Sequence, residues 1–229
     1  MHRGALLASL IVWSAAAAVF AAAAPHEHAP PTVLAPGYAD LEFTPPKPGT
    51  YDLPALGAAA DGAVIDSDGR ALRLHDLLGD KVTVMSFIFT RCGDVNGCPL
   101  ATFVLRTVQD RVDADATLRD RVKLLSLSFD PGYDTPPVLA EYAGHFRKSG
   151  FDWSFLTTAT EADLAPMLEA YGQSIVPDVD EAGNRLGPIS HILRVFLIDR
   201  ERRIRNIYSV SFLHADTVAN DVKTLLLEQ

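Results

Sequence analysis

The sequence predicts an α/β domain built on a central mixed β-sheet flanked by helices. Three observations predict it. Two short, continuous apolar runs, VTVMSFIF at 82–89 and VKLLSLSF at 122–129, have the length and unbroken hydrophobicity of strands buried on both faces. Each is followed by a segment whose apolar residues recur at helical spacing. Near the C-terminus two more strand-like runs, ILRVFLID and RRIRNIYSV, stand close enough for a hairpin, and a helical segment over 215–227 closes the chain.

The chain opens with MHRGALLASLIVWSAAAAVFAAAAP, in which a cationic start at Arg3 precedes an apolar run and small residues suited to cleavage. Residues 1–24 read as an export signal or, since the run approaches the roughly 20 residues that span a bilayer, as an N-terminal membrane anchor. Either reading places the remainder in an exported compartment where thiols oxidise: periplasmic, or anchored to the inner membrane and facing the periplasm. Residues 25–58 read as a Pro-rich linker, with eight prolines between 25 and 54 and little periodic hydrophobicity. His26 and His28 within it lack a preset geometry and receive no role. The folded domain is expected over 59–229.

Within that domain, Pro99 to Val112 places Leu100, Phe103, Val104, Val108 and Val112 on one helical face, with Pro99 in the first turn. A second helix opens at DTPPVLAEYAGHF, with Thr135 as N-cap and Pro136 at the first helical position. A third runs from Asp163 to Tyr171, Pro166 being tolerated in its first turn if Asp163 caps it. The short strand WSFLT lies between the second and third helices. This order resembles that of a thioredoxin-like domain, where a functional group belongs at the carboxyl end of a central strand as the chain turns into a helix.

Composition narrows the function. A formal charge of −9, from 20 basic and 29 acidic residues, offers no footprint for nucleic acid. Two cysteines, Cys92 and Cys98, are too few for a disulfide scaffold that replaces a core, yet both fall at the strand-to-helix turn FTRCGDVNGCPL. A bridge across so short a loop adds little by loop closure. A thiolate at Cys98, beside free helix-terminal amides, is expected to be stabilised and its pKa lowered. A structural staple, a redox couple and a pair of metal ligands all remain open at this point.

Four stretches, VTVMSFIFTRCGDVNGCPL, LSLSFDPGYDTPPVLAEYAGHF, WSFLT and SHILRVFLID, occur in the order seen in the Sco/SenC family, which this chain resembles over most of 60–229. That family comprises copper-binding, thioredoxin-like proteins that assist assembly of the dinuclear copper centre of cytochrome c oxidase. The resemblance implies copper, as Cu(I) or Cu(II), held by Cys92, Cys98 and His191. It implies as partner a copper-receiving subunit of cytochrome c oxidase or another copper chaperone. The family separates its cysteines by three residues, usually with proline after each; here five intervene and Gly93 follows the first. Gly93 and Gly97 are expected to give the longer loop flexible ends.

Two soft thiolates and one imidazole favour Cu(I), and low coordination allows release to a partner. Zinc competes less well, since a closed structural site takes four protein ligands. His75, His145 and His214 read as surface or cap residues. Asp130 and Asp134 read as shaping the turn and helix start, with Asp130 a possible hydrogen-bond acceptor beside the site. The alternative function is an exported thiol-disulfide oxidoreductase using Cys92 and Cys98, for which His191 is dispensable. At the N-terminus, cleavage near Ala23 or Ala24 is the expected outcome, read by mass spectrometry of exported protein. An intact Met1 recovered in the membrane fraction would identify an anchor instead.

Overall fold

The computed structural model describes residues 32–183 and 185–228, with one compact unit beginning at Leu34. The expected signal or anchor and the first residues of the expected linker lie outside the described residues. Among those described, no helix is long and apolar enough to cross a membrane.

The strands are β1 (Gly57–Ala58), β2 (Ala63–Asp66), β3 (Ala71–Arg73), β4 (Val82–Ile88), β5 (Val122–Ser128), β6 (Trp153–Thr157), β7 (Ile175–Val179), β8 (Arg185–His191), β9 (Val195–Ile198) and β10 (Arg203–Tyr208). The helices are α1 (Cys98–Asp113), α2 (Pro136–Phe146), α3 (Glu161–Ala170) and α4 (Ala215–Leu227). Eight strands form one mixed sheet in the order β1-β10-β9-β4-β5-β6-β2-β3, and β7 with β8 forms a second, two-stranded sheet. β4, β5 and β6 run parallel, while β9 lies antiparallel to β4. This is the mixed-sheet α/β architecture expected.

Every residue of β4 and β5 is buried, as their unbroken apolar runs require. The serines within them are satisfied: Ser86 Oγ lies 3.0 Å from Ser126 Oγ, which also accepts from Trp153 Nε1 at 3.1 Å. α1 covers this centre through Leu100, Val104, Val108 and Val112, all fully buried at a four-residue interval. Phe103 departs from the expected face; it is 41% exposed and its ring meets Tyr38 at 4.9 Å. α1 and α2 are joined by the Thr102–Tyr142 hydroxyl pair (2.9 Å).

Three boundaries differ from expectation for local reasons. α3 begins earlier, at Glu161, because Thr160 Oγ1 accepts from the Asp163 amide; Thr160, and not Asp163, is the cap, and Pro166 lies inside the helix. The strand expected over 192–199 shrinks to Val195–Ile198, since Ile192 is 52% exposed and the Arg194 guanidinium turns away to donate to the Gly172 carbonyl at 2.6 Å. The β7–β8 hairpin was not expected at all. Its sequence carries Pro177 and Pro188 and no apolar run, and β7 is mostly exposed, so periodicity gives no signal.

The largest correction concerns the Pro-rich segment. From Leu34 to Ala58 it is a strap packed on the domain, not a free linker. Ala35 and Leu53 are buried in the core, Tyr51 Oη donates to Asp221 Oδ1 at 2.6 Å, and Arg205 Nε donates to the Leu53 carbonyl at 2.5 Å. Prolines suit this role, because an extended chain laid on a surface loses little conformational entropy when its φ angles are already restricted. At Gly37 a Cβ would stand 2.2 Å from the Leu213 carbonyl oxygen and 3.0 Å from Leu100. Gly37→Ala is therefore expected to cost about 1–3 kcal/mol, or roughly 2–12 °C in thermal midpoint. A midpoint equal to wild type, by calorimetry, would show the strap to be unseated in solution.

Candidate metal centre

β4 delivers the chain to the carboxyl end of the central strands at Ile88, opposite Ser128 of β5. α1 then starts at Cys98, with Gly97 at the N-cap and Pro99 just inside. Cys98 is 1% exposed, and its sulfur accepts the Phe89 amide at 3.3 Å, satisfying a backbone donor that the end of the strand leaves over. Cys92 is half-exposed in the preceding loop, its thiol 3.8 Å from the Asp94 carbonyl. Of the two glycines expected to free this loop, only Gly97 is closely packed. A Cβ there would stand 3.2 Å from both Cys92 Sγ and the Asp94 carbonyl, whereas Gly93 has open space around it.

His191 arrives from elsewhere, as the last residue of β8, paired with Ile175 of β7. Its Nδ1 lies 3.0 Å from the Ile189 carbonyl. A carbonyl only accepts, so Nδ1 carries the proton and Nε2 of the neutral ring presents a lone pair. Nε2 lies 3.5 Å from Cys98 Sγ. The ring is held between Phe129, 4.8 Å away, and Phe89, 5.7 Å away and edge-on. The ligating atoms of Cys92, Cys98 and His191 all lie within 4.8 Å of one another. Among the described residues, this is the group of three or more His, Cys, Asp and Glu side chains close enough to share an ion. A cleft of about 640 Å³, walled by Phe89, Arg91, Cys92, Asp94 and His191, opens it to solvent.

The two sulfurs are chemically unequal, in the opposite sense to that expected. The Cys92 thiol is pulled down to about 6, chiefly by the hydrogen bond from Cys98, with the Asp94 and Cys98 backbone and the His191 ring adding to it. The Cys98 thiol is pushed well up, first by burial and then by its neighbour Cys92. The free amides of the α1 start do not offset that desolvation. Both cysteines are free thiols.

The remaining candidates sort as follows. His214 caps α4, its Nδ1 accepting from the Asp216 amide. His75 sits in a short 3-10 turn with Nε2 2.9 Å from the Ala59 carbonyl, and His145 in the last turn of α2 beside Phe146. Asp130 binds Arg91 at 2.9 Å, and that guanidinium lies 3.9 Å over the Tyr133 ring. Asp134 does more than start a helix. Fully buried, it accepts from the Thr90 amide and hydroxyl and from the Ser128 hydroxyl, tying the ends of β4 and β5 together ahead of Cys92. Phe89 and Phe129 were not singled out from sequence, and Asp134 was read only as shaping the turn and helix start. The signal available was that both phenylalanines end the two buried apolar runs, which parallel pairing brings side by side.

The SCO1/SenC family model matches residues 59–227. The chain belongs to that family. A SCO1 protein homolog from Bacillus subtilis (strain 168) is 25% identical over 160 residues, covering 69% of this chain and 78% of the relative. The crystal structure of Arabidopsis thaliana ScoI with copper bound superposes with a TM-score of 0.63 at 22% identity, covering 76% of this chain and all of that one. A SCO1/SenC family lipoprotein from Bacillus anthracis str. Ames gives 0.64 at 24% identity, covering 77% and 99%. These likenesses establish the thioredoxin-like fold of a Sco/SenC domain.

The unequal acidities make a measurable prediction. With its pKa lowered to about 6, Cys92 is a thiolate above that pH, whereas an ordinary cysteine ionises near pH 8.5. Iodoacetamide labelling of reduced protein, mapped by mass spectrometry, is expected to modify Cys92 with a half-maximal rate at about pH 6 and to leave Cys98 unmodified until the protein unfolds. Faster labelling of Cys98 would reverse the assignment.

Proposed function

We propose that this protein is a copper metallochaperone that binds copper through Cys92, Cys98 and His191 and delivers it during assembly of the dinuclear copper centre of cytochrome c oxidase. The observation that carries the reading is the convergence of two sulfurs and an imidazole nitrogen within 4.8 Å. The donor set fits the cargo: thiolates are soft ligands, the pair with one nitrogen suits Cu(I), and three donors leave an exchangeable position. Cys92 supplies a thiolate near neutral pH without a costly deprotonation. Cys98 loses its proton on ligation, and His191 presents Nε2 because Nδ1 is held by the Ile189 carbonyl. Membership of the SCO1/SenC family, and copper in the Arabidopsis ScoI structure, support the same reading.

The receiver on this reading is the copper-receiving subunit of cytochrome c oxidase or another copper chaperone. It meets the protein at the cleft where Cys92 is exposed. The protein acts outside the cytoplasm, in the periplasm or anchored to the membrane facing it. An export-type N-terminus and the lipoprotein description of the Bacillus anthracis relative support that placement.

A second reading, thiol-disulfide exchange, is favoured by one observation: a half-buried acidic sulfur lies within 4.8 Å of a buried one. Oxidation of the pair to a disulfide passes two electrons and two protons to the partner disulfide, which becomes two thiols. The two readings part at His191. His191→Ala is expected to weaken Cu(I) binding by more than the roughly 10- to 100-fold typical of disturbing a ligand's orienting partner, while dithiol–disulfide cycling survives. Cys92→Ser and Cys98→Ser are each expected to abolish both. Competition against a Cu(I) chelator, beside a redox assay, reads these outcomes. Wild-type copper affinity in His191→Ala would remove the histidine from the ligand set and leave the exchange reading.

A further inference from the structure

The strap makes a contact that the sheet and the three donors do not by themselves require. Tyr38, at the end of the 3-10 turn Pro36–Tyr38, donates its hydroxyl to the Val95 carbonyl at 2.6 Å. The Ala35 amide donates to Asn96 Oδ1 at 2.8 Å. Val95 and Asn96 stand in the middle of the widened segment between the two cysteines. Each hydrogen bond is anchored at its other end on the body of the domain. Ala35 is buried, Gly37 is pressed between Leu213 and Leu100, the Tyr38 ring lies 4.9 Å from Phe103 of α1, and the Ala39 carbonyl lies 2.9 Å from His214 Nε2.

The segment they reach carries one of the sulfurs. Its backbone closes a turn on itself, the Asn96 amide donating to Asp94 Oδ1 at 3.0 Å and the Gly97 amide to the Asp94 carbonyl at 2.9 Å. Cys92 Sγ lies against that same Asp94 carbonyl and against the bare Cα of Gly97, so it moves with the turn. Cys98 Sγ, by contrast, is fixed to the Phe89 amide. A longer loop costs more entropy to close on a shared ion, and a tie made beforehand lowers that cost.

We propose that the strap positions the copper loop: Tyr38 and the Ala35 amide hold residues 94–96, and through them Cys92 Sγ, at the separation from Cys98 and His191 at which all three donors can share one ion. The consequence for affinity rests on the copper reading of the site. The placement of Cys92 does not, and is measurable in metal-free protein.

Tyr38→Phe keeps the ring against Phe103 and removes the donor; Asn96→Ala removes the acceptor from the loop side. In the full-length protein, each is expected to weaken Cu(I) binding in chelator competition by roughly three- to tenfold, the range one hydrogen bond spans. The thermal midpoint is expected to fall by no more than the few degrees that one hydrogen bond is worth. The thiols provide an independent readout, in the equilibrium in which glutathione disulfide and the two cysteine thiols become the Cys92–Cys98 disulfide and two glutathione thiols. Loosening the loop lowers the effective concentration of one sulfur at the other. Both variants are therefore expected to shift that equilibrium toward the dithiol by a similar factor. Wild-type values of both quantities in both variants would overturn the proposal, as would losses accompanied by a fall in thermal midpoint larger than one hydrogen bond explains. If the wild-type protein itself failed to bind Cu(I), the copper reading would fall, while a shifted thiol equilibrium in both variants would still support the role of the strap.

Discussion

The burial of β4 on both faces is the constraint from which the site follows. With β5 on one side and β9 on the other, its seven residues are all buried. The strand ends at Ile88, and the chain turns as its burial ends beyond Phe89. The turn leaves backbone donors without ladder partners, and the protein satisfies them from the site itself: the Phe89 amide by the Cys98 sulfur and the Thr90 amide by Asp134. The sulfur that would grip a metal is thus also the acceptor that closes the strand. Its position is set by backbone hydrogen bonding before any ion arrives.

The three proposed donors are held by three different kinds of force. Cys98 is fixed by the core, its thiol raised by desolvation. His191 is fixed by a two-stranded sheet remote in sequence, by two aromatic rings and by a carbonyl that selects its tautomer. Cys92 sits in a solvent-facing loop and stays ionisable near neutral pH. A buried neutral thiol and a half-exposed thiolate within reach of one imidazole combine one firm donor with one more accessible one. That asymmetry suits a site that must both hold a soft cation and give it up, and it equally suits attack by one sulfur while the other resolves.

The elements legible in the sequence were those in which burial dictates composition. The runs 82–89 and 122–129 became β4 and β5 because a strand covered on both faces tolerates little but apolar residues, and Leu100, Val104, Val108 and Val112 marked the buried side of α1 for the same reason. The β7–β8 hairpin left no such trace. β7 is mostly exposed and carries a proline, so its sequence resembles a loop, and its pairing with β8 has no local signal. The strap was misread on similar grounds. Proline content speaks to backbone freedom in the unfolded chain and not to what the folded chain lies against, and contacts such as Tyr51 with Asp221 span 170 residues.

Of the site, the sequence by itself determined the location of the cysteine pair, at the carboxyl end of a buried strand where a helix begins, because that follows from local patterns of apolar spacing and turn residues. Family resemblance supplied His191 as their companion. Only the tertiary structure decided which thiol is acidic, which nitrogen of His191 faces the sulfurs, and that Asp134 and Tyr38 reach the loop at all. The reason is physical: acidity depends on burial and on how closely Cys92, Cys98 and His191 are brought together, the histidine from 93 residues beyond Cys98. Local sequence encodes the helix start that would lower a thiol pKa, but the desolvation that overrides it at Cys98 exists only once β4, α1 and the hairpin have closed around it.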